Sequence, residues 1–330
     1  MIRKLPVARP AAQGYQFYAY PLSILGTRPE SEDWILSNYI QTAYDTSAGP
    51  DDVSFCFYLH DHTASPWLQV VKLDRSWVGS HRGNVVDWVR DVVGEGYYVS
   101  LNLDEFHIEG REAFGRFTKI HDVLVTGIDD DRGVVHILGY NGEHLFREAE
   151  VSQAGLRAAY ESALELTDDD RVHLFRMRED ADYGFDLDLV RRTLEEYLGG
   201  VNTSLHFSAI QEPWDRLYGM DTYGPLAKEL ETYLADRSFY VVRSLSVLWE
   251  HKRLMADRME RMAQLYPEEL RSMVVEAKSI EVEARRLRNA MLTHRWREGR
   301  TDFAATAIPS LEKIAIRERR LITDCLSAMP

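Results

Sequence analysis

The sequence predicts an α+β protein, with a mixed domain built on an antiparallel sheet and a mainly helical domain after it. Three observations predict this. Short apolar or alternating segments, punctuated by polar turns, fill the first half. Two of them, Asp122–Ile128 and Gly133–Leu138, are joined by Asp129-Asp130-Asp131-Arg132-Gly133, a turn composition that suits a hairpin. From Leu187 onward the apolar residues keep a helical period instead, as in Val241, Leu245, Leu248, Trp249, Met255, Met259 and Met262, then Leu270, Met273, Val274, Ala277, Ile280, Ala284 and Leu287. The change falls near Thr167-Asp168-Asp169-Asp170, so residues 1–180 are assigned to the mixed domain and 181–330 to the helical one.

Each element follows from its local pattern. Residues 1–14 carry two prolines and several cations and read as a loose arm. Tyr15–Tyr20 is aromatic-rich and reads as extended. A helix is expected from Ser31, an N-cap residue with Glu32 and Asp33 in the first turn and Ile35, Tyr39 and Ala43 on one face. Thr46–Asp52 is a loop around Ala-Gly-Pro. Val53–Leu59 and Trp67–Leu73 read as strands on either side of His60-Asp61-His62. Asn84–Val93 is a short amphipathic helix ended by Gly94, and Tyr97–Leu103 alternates as a strand should. Ser152 caps a helix through Ala163, and Val172–Met177 is a last short strand.

Composition bounds the function. The chain has 330 residues, 45% hydrophobic and 28% charged, enough for a large core. No apolar run approaches the roughly 20 residues of a membrane helix, and the first residues hold no apolar signal segment, so no membrane association is expected. Cys56 and Cys325 lie far apart and form neither a disulfide framework nor a zinc pattern, which points to a reducing, cytoplasmic setting. A net charge of −14 argues against nucleic acid as a partner. With no glycine-rich phosphate loop or dinucleotide fingerprint, no cofactor is expected. The Met-rich helical stripe suits core packing, with enough apolar surface for a homodimer.

The informative stretch is Asn102–Ala163. Asp104-Glu105-Phe106 ends a strand, a basic and aromatic loop with Arg111 follows, and His121 stands just before the apolar strand Val123-Leu124-Val125-Thr126-Gly127-Ile128-Asp129. This pattern resembles the butirosin biosynthesis protein H family. The match extends through helix 152–163 and, more weakly, to Leu217-Tyr218-Gly219 and the helices beyond. The resemblance implies a papain-like domain related to the bacteriocin-leader peptidases, followed by a helical domain. It also implies acyl transfer in natural-product, antibiotic-type biosynthesis: a cysteine attacks a carrier-bound thioester, a histidine activates it, and the acyl group passes to an amine.

This chain departs from that pattern twice. Tyr15–Tyr44, where the family has its cysteine, contains none, leaving Ser23 and Ser37 as hydroxyl candidates and Cys56, on a predicted strand, as a relocated thiol. The residue expected to orient the histidine is replaced by Leu138, with Asn141 nearby able to act through its amide oxygen. His121 is the candidate general base; it can serve a nucleophile or deprotonate the amine directly. Glu105, Arg111, Tyr218 and His251 are candidate substrate-binding residues. Arg285-Arg286 and Arg295–Arg300 could supply a basic patch for an acyl or peptidyl carrier protein, with a small-molecule amine as acceptor.

Other clusters have plainer readings. Asp129–Asp131 reads as a solvated turn, and His60 and His62 as a surface turn unless His81 or His107 joins them on a metal. Two functions therefore stand open: an acyl- or aminoacyl-transfer enzyme, or a catalytically inactive papain-like relative acting as a binding or scaffold protein. With a covalent nucleophile, the first needs a Ser or Cys within hydrogen-bond reach of His121 in an open cleft, whereas apolar groups packed around His121 decide for the second.

Overall fold

A computed structural model describes residues 2–49, 52–78, 84–167, 171–236, 241–296 and 302–329. His81, Asp168–Asp170 and residues 297–300 of the predicted basic patch lie outside the described residues. The chain is mixed α+β, with an antiparallel sheet and a helical C-terminal part. It divides into two compact units, Met1–Ser31 with His62–Tyr183, and Glu32–Asp61 with Gly184–Pro330.

The first unit is built on a sheet whose strands lie in the order β4 (Leu68–Asp74), β9 (Arg171–Met177), β5 (Tyr98–Asp104), β6 (Ile120–Asp129), β7 (Val134–Tyr140) and β8 (Phe146–Ser152). Every described pairing is antiparallel. The predicted hairpin is β6–β7, with the Asp129 carboxylate accepting from the Asp131 and Arg132 amides in its turn. β5 covers β6 only up to Val125, and β1 (Ile2–Lys4) pairs with Gly127–Asp129 beyond it. Gly127 permits this, because a Cβ there would stand 2.6 Å from the Arg3 carbonyl oxygen. The N-terminal arm is thus a paired strand at Ile2–Lys4, not loose chain.

Helix α3 (Val85–Gly94), capped by Asn84, and α4 (Gln153–Leu166), capped by Ser152, supply Val85, Val89, Leu156 and Ala159 to a core shared with Val99, Leu101, Val123, Val125 and Ile137 of the sheet. Burying the valine, leucine and isoleucine side chains contributes roughly 1.5–3 kcal/mol each.

One further expectation in this unit is corrected, and one strand was not anticipated. Tyr15–Tyr20 is helical from Gln16, in α1 (Gln16–Leu25), despite Pro21 inside the helix. Nine of its ten residues are buried, so packing on all sides overrides propensity and erases the amphipathic period that would have revealed it. β8 gave no strand signal: it is mostly solvent-facing and carries Arg147, Glu148 and Glu150, charges that suit an edge strand.

The second unit holds a small sheet in the order β10 (Leu217–Tyr218), β2 (Thr42–Tyr44), β3 (Phe55–Phe57). Around it are α2 (Glu32–Asn38), α5 (Leu187–Gly199), α6 (Tyr223–Ala235), α7 (Val242–Leu265), α8 (Pro267–Trp296) and α9 (Asp302–Ala328). α8 packs against both α7 and α9. Strand β10 interrupts what the sequence presents as helical from Leu187. α2 ends at Asn38, so Ala43 lies on β2 instead of the expected helix face. Ser31 belongs to the turn before α2, its hydroxyl donating to the Leu25 and Arg28 carbonyls. Buried Arg258 caps the end of α2 by donating to the carbonyls of Leu36 (2.6 Å) and Tyr39 (2.8 Å).

Glu229 in this unit makes stability depend on pH. The side chain is buried; Oε1 accepts from Ser244 (2.8 Å) and Ser54 (3.4 Å), while Oε2 has no partner among the described residues. Burial pushes the carboxyl up to about 7, against the pull of the two serines. The folded protein therefore holds this proton to higher pH than the unfolded chain, and stability falls as pH rises from about 4.5 to about 7, then levels. Glu229→Gln cannot ionise. It is expected to gain about 3 kcal/mol over the parent at pH 8 and little near pH 5, read by urea denaturation at both. Equal effects at the two pH values would sink the argument.

Candidate functional site

The site forms where β5 hands over to β6. The pairing sets Leu103 opposite His121 and Asp104 opposite Ile120, so the loop between the strands leaves and returns at one place. Asp104 locks that neck. One carboxylate oxygen accepts from the amides of Phe106 and Lys119 (both 3.0 Å), the other from the Ser162 hydroxyl (2.8 Å). Burial alone would raise this carboxyl, but the hydrogen bonds outweigh it and hold the group below the ordinary range. The Glu105 amide donates to the Lys119 carbonyl at 2.9 Å, and the Gly142 amide ties the loop to the β7–β8 turn by donating to Gly110. The loop thereby buries Glu105, Ile108, Arg111 and Ala113 while exposing Phe106, Phe114 and Phe117.

His121 is the centre of this arrangement. Its Nδ1 lies 3.1 Å from Glu105 Oε1, and its side chain is 35% exposed against 4% for Glu105. Burial pushes Glu105 up, but the hydrogen bond and charge of His121, with Lys119 and Arg111, leave the carboxyl below its usual range. An ionised carboxylate only accepts, so Nδ1 carries the proton. The tautomer that results leaves the Nε2 lone pair free to take a proton. Lys119 stands 3.5 Å from the other Glu105 oxygen.

On the Nε2 side, Asp122 Oδ1 is 3.9 Å away, beyond a hydrogen bond. The Asp122 side chain is 30% exposed, yet its carboxyl is crowded enough that desolvation raises it, against the opposing pulls of His121, Gln16 and Arg111. Gln16, in the first turn of α1, donates to the Asp122 carbonyl (2.6 Å) and carboxylate (2.9 Å) and accepts from the Tyr140 amide (3.0 Å). Tyr20, one turn further on, donates to the same Asp122 carbonyl at 2.9 Å. Two side chains of α1 thus fasten that helix to β6 beside the imidazole.

The structure brings His121, Glu105 and Arg111 into one neighbourhood, while each of the other candidates is committed to contacts of its own. Ser23 is fully buried, its hydroxyl donating to the Ala19 carbonyl at 2.8 Å. Ser37 belongs to the second unit, where it donates to Asp33 (2.7 Å) and accepts from the Asp186 amide (2.9 Å). Cys56 lies buried on β3 of that unit, its thiol pushed up to about 12 by burial, the opposite of an activated nucleophile. The Asn141 amide oxygen accepts from the amides of Glu143 and Leu145 and so braces its own turn. Tyr218 and His251 are buried in the second unit, the first donating to the Trp214 carbonyl and the second bonded to Ile40.

His60 stacks on Phe207, whereas His62 lies against Phe17 and Tyr18. Among the described residues no group of three His, Cys, Asp or Glu side chains is placed to hold a metal ion. No described helix is long and apolar enough to cross a membrane.

Sequence reasoning missed Asp104, Asp122, Gln16 and Tyr20. Asp122 was detectable as a carboxylate next to His121, and Gln16 as a lone amide opening an otherwise apolar, aromatic segment. No family model matches the chain, and no curated protein is significantly similar to it.

Proposed function

We propose that this protein transfers an acyl or aminoacyl group from a carrier-bound thioester to an amine, in natural-product biosynthesis, with His121 as general base on a papain-like mixed domain. The observation that carries the reading is the Glu105–His121 pair: a buried anion fixes the imidazole tautomer and leaves Nε2 free on a half-exposed ring. In the proposed reaction the amine nitrogen attacks the thioester carbonyl while Nε2 accepts the departing N–H proton. The tetrahedral intermediate then expels the thiolate, which takes that proton back from His121, leaving an amide and a free thiol. No acyl-enzyme is formed. The states of Ser23, Ser37 and Cys56 favour this direct attack, since two hydroxyls are committed to backbone carbonyls and burial keeps the thiol protonated.

A second reading, a catalytically inactive papain-like relative that binds or scaffolds, is favoured by Gln16. At the head of α1, where the resemblance would put a cysteine, its amide is spent on Asp122 and Tyr140.

The test is intact-mass analysis of the protein quenched during turnover of short acyl-pantetheine thioesters with primary amines. Amide product without an acylated protein is expected. A trapped acyl adduct would overturn direct attack, and failure to form amide with any pair would favour the binding reading.

A further inference from the structure

Arg111 is the group in this neighbourhood whose chemistry is unspent. The residue is 6% exposed, and neither Nη1 nor Nη2 has a hydrogen-bond partner among the described residues. Leaving charged donors buried and unpaired costs free energy that any matching acceptor would recover. The guanidinium is seated against β7 at Gly139: a Cβ there would stand 2.8 Å from Nη2 and 3.1 Å from both Nη1 and the Tyr20 hydroxyl. Its charge is felt at Glu105, Asp122 and Tyr20, so it sits within electrostatic range of the His121 site.

We propose that Arg111 is the anchor for a carboxylate on the substrate, gripped through Nη1 and Nη2, so that one reactant of the His121 site is a carboxylic acid. This rests on the acyl-transfer reading for the reaction but not for the binding. Two free nitrogens of a planar fork match the two oxygens of a carboxylate. The surrounding charge selects the same class. Glu105 and Asp122 already lie within electrostatic range of the cation, so a monoanion is accommodated where a phosphate dianion would be repelled. Neither nitrogen meets solvent, so the ligand enters by shifting the 105–119 loop, whose Glu112 and Phe114–Thr118 are exposed. The carboxylate can belong to the acyl donor or to the amine acceptor.

The experiment titrates sodium acetate, and inorganic phosphate in parallel, into the full chain at constant ionic strength, following the Arg111 Nε–H resonance by NMR. A saturable acetate shift is expected, weakened about tenfold or more in Arg111→Lys, which keeps the charge and loses the fork. No saturable shift in the parent, tighter binding of phosphate, or equal affinity in Arg111→Lys would overturn the proposal. The parent titration decides this whether or not the variant folds. The transfer assay then separates the sources. A preference for glycine over glycinamide places the carboxylate on the acceptor, and a preference for succinyl over butyryl thioester places it on the donor. Absence of both preferences, with transfer occurring, would overturn the substrate assignment. Saturable acetate binding with no transfer from any pair would leave the carboxylate site standing while the acyl-transfer reading fails.

Discussion

Replacing His121 with alanine is expected to lower the transfer rate by about 100- to 10,000-fold while leaving the melt nearly unchanged. The asymmetry follows from where the ring sits. Its side chain is 35% exposed at the start of β6, so truncation opens no sealed cavity. Removing it leaves Glu105 buried but not alone, since Lys119 stays 3.5 Å from Oε2. Glu105→Gln is the informative companion. It keeps the shape and removes the anion that holds the proton on Nδ1, so the ring can take the other tautomer and lose its free Nε2 lone pair. A smaller rate loss than in the alanine variant is expected.

The same pair has a pH signature. Glu105 is held below the ordinary carboxylate range in the fold, so its contribution to stability is present above the unfolded value and lost as pH falls through the folded one. In His121→Ala that acid-side loss should shrink. Kinetics, a melt and an acid-denaturation series check the three parts. Full activity in His121→Ala would remove the general-base reading.

How much of this was legible depends on which physical signal each residue leaves in the chain. The β6–β7 hairpin, the helix beginning at Asn84, the Ser152 cap and the helical period from Val241 to Leu287 are local patterns, and all appear in the structure. His121, Glu105 and Arg111 were nominated through the family pattern they resemble, and the antiparallel pairing of β5 with β6 brings the start and end of their loop together. What escaped depends on non-local pairing or on burial without a period. β1 reads as loose chain until β6 offers an unpaired edge beyond Val125. Helix α1 is buried on all sides, so neither its existence nor the reach of Gln16 to Asp122 could be inferred from spacing. Conversely, Ser23 was nominated for its hydroxyl, and only the helix shows that hydroxyl turned back onto Ala19.

Lys252→Met is expected to destabilise the second unit by about 3–5 kcal/mol, the range for stripping one partner from a buried ion pair. Lys252 is 2% exposed overall, and its ammonium donates to both Glu318 oxygens at 2.6 Å and to the Tyr197 hydroxyl at 3.2 Å. His251 Nε2 donates to the Ile40 carbonyl, so its Nδ1 lone pair faces the ammonium at 2.9 Å, a fourth acceptor sharing its three hydrogens. Glu318 in turn accepts from the hydroxyls of Tyr197 (2.9 Å) and Tyr223 (2.7 Å). Burial and the facing Glu318 push both phenols well above the ordinary tyrosine range, which keeps them as donors.

Lys252, Tyr197 and Tyr223 all donate to one carboxylate, Glu318. Removing the cation leaves Glu318 as a buried charge held by two neutral hydroxyls. The attraction between the ions mostly offsets their desolvation, so a joint replacement is expected to cost less than the single one. Lys252→Met with Glu318→Leu should therefore recover part of the loss, leaving mainly the two orphaned tyrosine hydroxyls at roughly 1–3 kcal/mol each. Denaturant unfolding of the two single variants and the double closes the cycle. Additive losses would mean that the pair is not coupled. A loss under about 1 kcal/mol in Lys252→Met would mean that water reaches Glu318, and that His251 and Lys252 lie at a ligand-accessible surface after all.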